Sequence, residues 1–470
     1  MSGSGPPAAA APRAAGWGPA AVFLLVGGAQ LWLVARAGTD IPFHDQWDVE
    51  GRWLYPACRD DTLSATALLR AHNEHRIVWT HLLNLALFAA NGQWDPLVQL
   101  AAGAGLRAAI AAGLVWRIGR DAGGAGGAIV AAGVTLAFLP QLAWHNALWG
   151  FQSQVYFVLL FSLAALALLG GAAPSRGQQA AGLIAGIAAL FAMGAGAFVP
   201  MALLGLFGLR AIGHRRIDAA WWRGVWPAGV LLALALALRA EVPEHAALRA
   251  TTAADFFNAL GRALAWPHSG DPLAAFGLNL PIVFVVAARL ARRRRAAPGE
   301  DFVLLLGGWA VLGAVAAAWA RGGGGEFAAG VPSRYVDLFV LLPLANAWCV
   351  VVLAHEAADR WRGRARGLAA VWGAFLLVGW IGLSAEAMRG VIRPRARDRE
   401  APVRLMQTYQ ATGDAGVFAG QPRLLVPHPN PASVRAVLAD PRLRGALPPS
   451  LQPERPMGPL SRAVRWILGR

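Results

Sequence analysis

Two short stretches form the chain's richest cluster of acidic and histidine side chains. "FHDQWDVE" (43–50) supplies His44, Asp45, Asp48 and Glu50, and "HNEHR" (72–76) supplies His72, Glu74, His75 and Arg76. Carboxylates, imidazoles and guanidinium groups in one neighbourhood can move protons and bind anions. On a helix beginning before residue 72, His72, His75 and Arg76 would fall at i, i+3 and i+4 on one face, with Glu74 roughly opposite. Zinc-protease chemistry needs H-E-x-x-H, and His72-x-x-His75 has a different spacing. A third stretch, "WHNALWGFQSQ" (144–154), adds Trp144, His145, Asn146, Trp149, Gln152 and Gln154, and "GVPSRY" (330–335) adds Arg334 and Tyr335. Arg334 has two readings: an i, i+3 pair with Asp337, or a cation presented to a phosphate. The bland alternative for every one of these groups is anchorage to lipid headgroups at a membrane boundary.

That alternative arises because the rest of the chain is so apolar. Of 470 residues, 56% are hydrophobic and 14% charged, and the mean hydropathy is +0.45, more apolar surface than one soluble core could hide. The fold class expected is an all-α polytopic membrane protein. The net charge of +16 comes from arginine without any lysine, dispersed between apolar runs, which fits solvated loops on one membrane face better than nucleic-acid binding. Cys58 and Cys349 are far apart and offer neither a disulfide framework nor a metal-cysteine site.

Eleven apolar runs have suitable length: 19–36, 97–117, 123–142, 154–172, 179–194, 197–212, 222–239, 277–290, 302–320, 336–353 and 368–384. The first is long for a signal peptide and reads as a retained span. Residues 76–91 are short and carry a polar stripe of Arg76, Thr80, Asn84 and Asn91. If they lie flat, Arg117 and Arg120, Arg176, Arg210 with Arg215 and Arg216, "RRRR" at 292–295 and "DRWRGRARG" at 359–367 all fall on the cytoplasmic side. If they span, all of those clusters move outside. The expectation is therefore an interfacial helix at 76–91, the N-terminus inside and the C-terminus outside. The outer segments are then 38–96, 144–154, 193–200, about 240–276, 321–335 and the tail. "TTAADFFNALGRALAW" within 240–276 reads as an amphipathic lid helix. The expected organisation is a disordered tail at 1–18, a transmembrane domain at 19–384 and a small extramembrane C-terminal domain at 385–470, helical near 432–439.

The order of a first span, an acidic outer loop with "FHDQWD", an interfacial helix introduced by "HNEHR", and a span "NGQWDPLVQLAAGAGLRAAIAAGLVWRIGRDAGG" ending in arginines resembles the GT-C membrane glycosyltransferases. The mannosyltransferase and aminoarabinose-transferase branches share that layout. The likeness in layout covers about 19–384, its motifs about 40–155, and "HNEHR" stands where those branches often carry His-Pro-Pro. The resemblance implies a sugar donor on a polyprenyl phosphate, a lipid, glycan or protein acceptor, and inversion at the anomeric carbon on the outer face of a bacterial inner membrane. By position it makes Asp45 the counterpart of the catalytic aspartate and Glu74 a second acidic group. Arg76, Arg334 and His145 are then candidates for the donor phosphate, and His44, His72, His75, Trp149, Gln152 and Tyr335 for substrate contact. No metal ligand set and no cofactor is expected, with a divalent cation left open. The competing functions are a lipid or glycan transporter or flippase, for which the nearly charge-free spans give little support, and a non-catalytic assembly factor.

Overall fold

The computed structural model of the chain describes residues 17–214, 217–291, 296–328 and 330–470. Residues 1–16 of the expected tail, Arg215, Arg216 and the "RRRR" run lie outside the described residues. Among the described residues the regular structure is helical, and the one β-type pairing is an isolated bridge between His72 and His75.

Among the described residues, eight helical stretches are long and apolar enough to cross a membrane: Trp17–Ala37, Pro96–Asp121, Gly126–Ala147, Gly150–Leu169, Gly194–Gly213, Glu300–Arg321, Ser333–Glu356 and Asp359–Arg397. The other three apolar runs form the shorter helices Arg176–Leu190, Trp221–Ala237 and Ala274–Leu290. At 1.5 Å per residue these reach only about 22–26 Å, less than the ~30 Å hydrocarbon core. Large apolar side chains such as Leu24, Ile184, Leu236, Phe276 and Val378 stand exposed around the bundle. Hydrocarbon tolerates that surface and water does not. The chain is an all-α polytopic membrane protein.

The helical run Pro96–Phe138 folds back on itself at "GRDAGGAGG". Arg107 Nη1 donates to the carbonyl of Phe138 at 2.8 Å, whereas a straight helix would separate these residues by about 46 Å. Small residues permit the neighbouring close approach of the first helix, where Gly27 faces Ala108.

The two ends of the bundle differ in chemistry. At one end Arg117 pairs with Asp121, and Arg210 and Arg289 both pair with Asp301. Arg210 also donates to the carbonyls of Gly170 and Gly171, closing a helix end. The opposite end gathers the segments that the arginine pattern had put together, around one polar cavity.

Residues 78–91 form a 14-residue helix, about 21 Å long, too short to span. Its polar side points inward: Thr80, His81, Asn84 and Asn91 are buried, while Leu82 and three alanines face out. That inverted pattern suits a helix resting against lipid on one side and a polar protein interior on the other.

The tail is built into this end. Trp47, Tyr55, Phe88 and Trp94 share one hydrophobic core with Met406, Tyr409, Val434 and Leu447. Asp48 meets His428 Nε2 at 2.9 Å, Ser450 donates to Asp40, and Arg465 bridges Asp40 and Asp95. Gly51 has no room for a side chain, because a Cβ would stand 2.8 Å from Val437.

Candidate functional site

The cavity, about 670 Å³, takes side chains from every segment expected on the outer side: Phe43–Asp45, His72–His75, His145–Val155, Met193, His245 and Leu248, Arg321–Tyr335, and Arg423 with Leu424 of the tail.

The first wall is positioned by a buried carboxylate. Glu50 is fully buried in the π-helical turn Trp47–Leu54. It accepts hydrogen bonds from Gln99 Nε2, Trp94 Nε1 and Asn84 Nδ2, each at 2.8 Å, and longer ones from Tyr55 and Gln46. This fixes the direction of a chain. Gln99 gives its N–H to Glu50 and so offers Oε1 to Gln46 Nε2 at 2.7 Å. Gln46 in turn offers its own Oε1 to the Phe43 N–H at 3.1 Å. The result is a tight 43–46 turn with His44 at φ 47°, a conformation unusual for a residue with a side chain. The His44 N–H is taken by the carbonyl of Pro427 at 2.6 Å. Burial pushes the Glu50 carboxyl up to about 7 against these donors, and burial pulls the His44 imidazole down to about 4.

The second wall corrects the helix expected through "HNEHR". Residues 72–75 form a tight turn, with His72 and His75 exchanging both backbone hydrogen bonds and Asn73 at φ 51°. His72, Glu74 and His75 therefore reach the cavity together, while Arg76 does not. Arg76 turns away and donates to the carbonyl of Leu69 at 2.6 Å, over a shallow surface recess. Burial lowers the His75 imidazole, whose Nδ1 accepts the Gly194 N–H.

The third wall is aromatic. Trp144, His145, Trp149 and Phe151 stack with centroid spacings of 5.3–5.9 Å, and Trp149 Nε1 donates to the carbonyl of Phe43. Gln152 and Gln154 line the cavity beside them. Gln154 Oε1 is buried and has no hydrogen-bond partner among the described residues.

The fourth wall carries the charge. Glu74 Oε1 meets His245 Nδ1 at 2.5 Å and Arg321 Nη2 at 3.2 Å. Glu326 links Arg321 to Arg334. Arg334 lies over the ring of Tyr335. Of the two readings of Arg334, the i, i+3 pair with Asp337 is not found among the described residues. Asp337 instead takes Arg107 Nε at 2.9 Å and Asn146 Nδ2 at 3.0 Å, in a fully buried cluster. The spans are thus not charge-free: an ion pair sits beneath the cavity, and Asn146 ties it to the carbonyl of Arg334.

Asp45 differs from Glu74. The imidazole Nε2 of His72 stands 3.7 Å from its carboxylate, and a third of its side chain is accessible. Arg423 makes no ion pair among the described residues and stands exposed at the cavity rim. Of the expected site residues, Asp45, Glu74, Arg334, His145, His44, His72, His75, Trp149, Gln152 and Tyr335 line the cavity, and Arg76 does not. His245, Arg321, Glu326 and Arg423 were missed. They lie in three different segments, about 240–276, 321–335 and the tail, and the available signal was the placement of those segments on the same side as 38–96. The expected lid helix forms as Ala253–Leu264, but it packs on Glu300–Arg321, and the residues before it, His245 and Leu248, line the cavity. Among the described residues no three His, Cys, Asp or Glu side chains converge as a metal site.

The class that emerges is a polytopic helical membrane protein with a polar, aromatic-walled cavity at one end. No protein-family model, curated protein or solved structure matches the chain.

Proposed function

We propose that the protein is an inverting membrane glycosyltransferase that moves a sugar from a polyprenyl-phosphate donor to a lipid, glycan or protein acceptor. One observation carries this reading. The lightly held carboxylate of Asp45 shares one cavity with the guanidinium groups of Arg321, Arg334 and Arg423, an aromatic wall and the unpartnered acceptor Gln154 Oε1. Asp45 takes the proton of the acceptor hydroxyl as its oxygen attacks the anomeric carbon. The bond from that carbon to the phosphate oxygen breaks, and its electron pair leaves with the phosphate. General-base help of this kind is worth about 10²- to 10⁴-fold. The arginines stabilise the negative charge that grows on the departing phosphate. Glu74 serves the arrangement as a held anion, its Oε1 engaged by His245 and Arg321.

The arginine pattern supports an outward-facing cavity with the N-terminus inside, and the lysine-free, Ala- and Gly-rich composition supports a bacterial inner membrane. The test is transfer by the purified protein from radiolabelled polyprenyl-phosphate sugars to a crude lipid extract, wild type against Asp45→Asn. Transfer unaffected by the substitution would reject Asp45 as the base. Absence of transfer from every donor would favour a lipid or glycan transporter. That second reading draws on the buried Arg107–Asp337 pair, since ionisable groups inside spans often mark a transport path.

A further inference from the structure

The C-terminal helix, Pro459–Ile467, is held at the membrane end of the tail by three sets of contacts. Ser461 exchanges two hydrogen bonds with the Asn91 side chain, at 2.8 and 2.9 Å. Arg465 pairs with Asp40 and Asp95. Arg470 donates to the carbonyls of Val34, Ala35 and Gly38, at the C-terminal end of the first helix, at 2.8–3.0 Å. Val464 and Leu468 then pack with Leu31, Val34, Leu97 and Leu100. Leu31 lies six residues before the end of its helix and Leu100 four residues after the start of its own, so the contact reaches about 6–9 Å along the spans.

This depth fixes what the other face of the helix meets. Trp466 is 83% exposed and Ile467 57% exposed, on a stripe with Ala463 and Arg462. An outward Trp-Ile pair beside the last turns of one span and the first turns of the next is at the level of the acyl-headgroup boundary, where Trp is favoured and a neighbouring arginine can extend to the headgroups. The geometry points to the C-terminal helix as a second interfacial helix, seated in the bilayer beside Val78–Asn91, with lipid as its partner. The tail is then fastened to the membrane at its far end as well as at residue 397, and the Arg423 loop at the cavity rim hangs between two fixed points.

The test uses the full chain in proteoliposomes, reacted separately with a membrane-partitioning and a water-soluble carbene photolabel and mapped as tryptic peptides. The peptide Trp466–Arg470 is expected to take the lipid-phase label at a level comparable with the first-span peptide ending at Arg36, and to be spared by the aqueous one. The tail helix Ala401–Thr412 should behave the opposite way. Aqueous labelling of Trp466–Arg470 equal to that of Ala401–Thr412 would overturn the proposal. Protection from both labels would overturn it too, because protein, such as a second copy, would then cover the face.

Discussion

Glu74 and His245, 171 positions apart in the chain, meet with carboxylate Oε1 2.5 Å from imidazole Nδ1, and the Arg321 guanidinium stands 3.2 Å from the same oxygen. Three loops are joined through one oxygen atom. The contact ties the 72–75 turn to the end of the span Glu300–Arg321 and to the segment after Trp221–Ala237.

Burial works to raise the Glu74 carboxyl, but the His245 hydrogen bond and the Arg321 charge outweigh it and hold the group at about 2, against an ordinary 4.5. A depressed carboxyl adds stability above its unfolded value and loses it as pH falls through the folded one. Glu74→Gln is therefore expected to lower the thermal midpoint at pH 7, with the gap to wild type narrowing between about pH 4.5 and 2. Thermal unfolding across that window checks it, and a gap that does not change with pH would refute the ion-pair account. In the transfer assay, Glu74→Gln is expected to reduce turnover less than Asp45→Asn does.

Glu50 presents the opposite case, a carboxyl raised to about 7 by burial without a cation beside it. Its stabilising contribution is present below the ordinary 4.5 and is lost as pH rises through about 7. The Asn84 side chain supplies the matching signal, since its Oδ1 is buried and unpartnered. Turning that amide over gives a protonated Glu50 an acceptor. Glu50→Gln can use the same acceptor and is expected to be mild, with a midpoint less sensitive to pH between 5 and 8 than that of wild type. Glu50→Ala leaves the Gln99 and Trp94 donors unpaired at about 1–3 kcal/mol each. Equal damage by both substitutions, measured by thermal unfolding, would reject the hub role.

The membrane class of the fold was legible in the sequence because apolar runs and arginine placement report on lipid directly. The same arginine placement put 38–96, 144–154, 193–200, 240–276, 321–335 and the tail together, and the cavity takes side chains from all of them. The turn at 72–75 was not legible. Its identity rests on two backbone hydrogen bonds between His72 and His75, and the i, i+3, i+4 spacing of its polar residues imitates a helix face. Nor was the docking of the tail, whose core residues Met406, Val434 and Leu447 meet partners more than 300 positions away. Arg107 lies inside the apolar run 97–117, and the reading of the spans as nearly charge-free passed over it, although a cation there requires a partner. Its pairing with Asp337 depends on the fold-back of Pro96–Phe138, which brings Phe138 beside it.

That buried pair yields the last prediction. Arg107 and Asp337 are both almost fully buried, and Asn146 and the Phe138 carbonyl complete their hydrogen bonding. Removing one partner leaves an uncompensated charge, which costs about 3–5 kcal/mol in comparable buried pairs, whereas replacing both by apolar groups of similar volume is often close to neutral. Asp337→Leu and Arg107→Met are each expected to lower the thermal midpoint in detergent sharply, and the double variant to recover most of the loss. The double variant also unties Asn146 from the floor of the cavity, so Arg334 and His145 lose a common support while the bundle survives. Restored stability with impaired sugar transfer is the expected outcome. A double variant as unstable as the sum of the singles would show that the two side chains act independently.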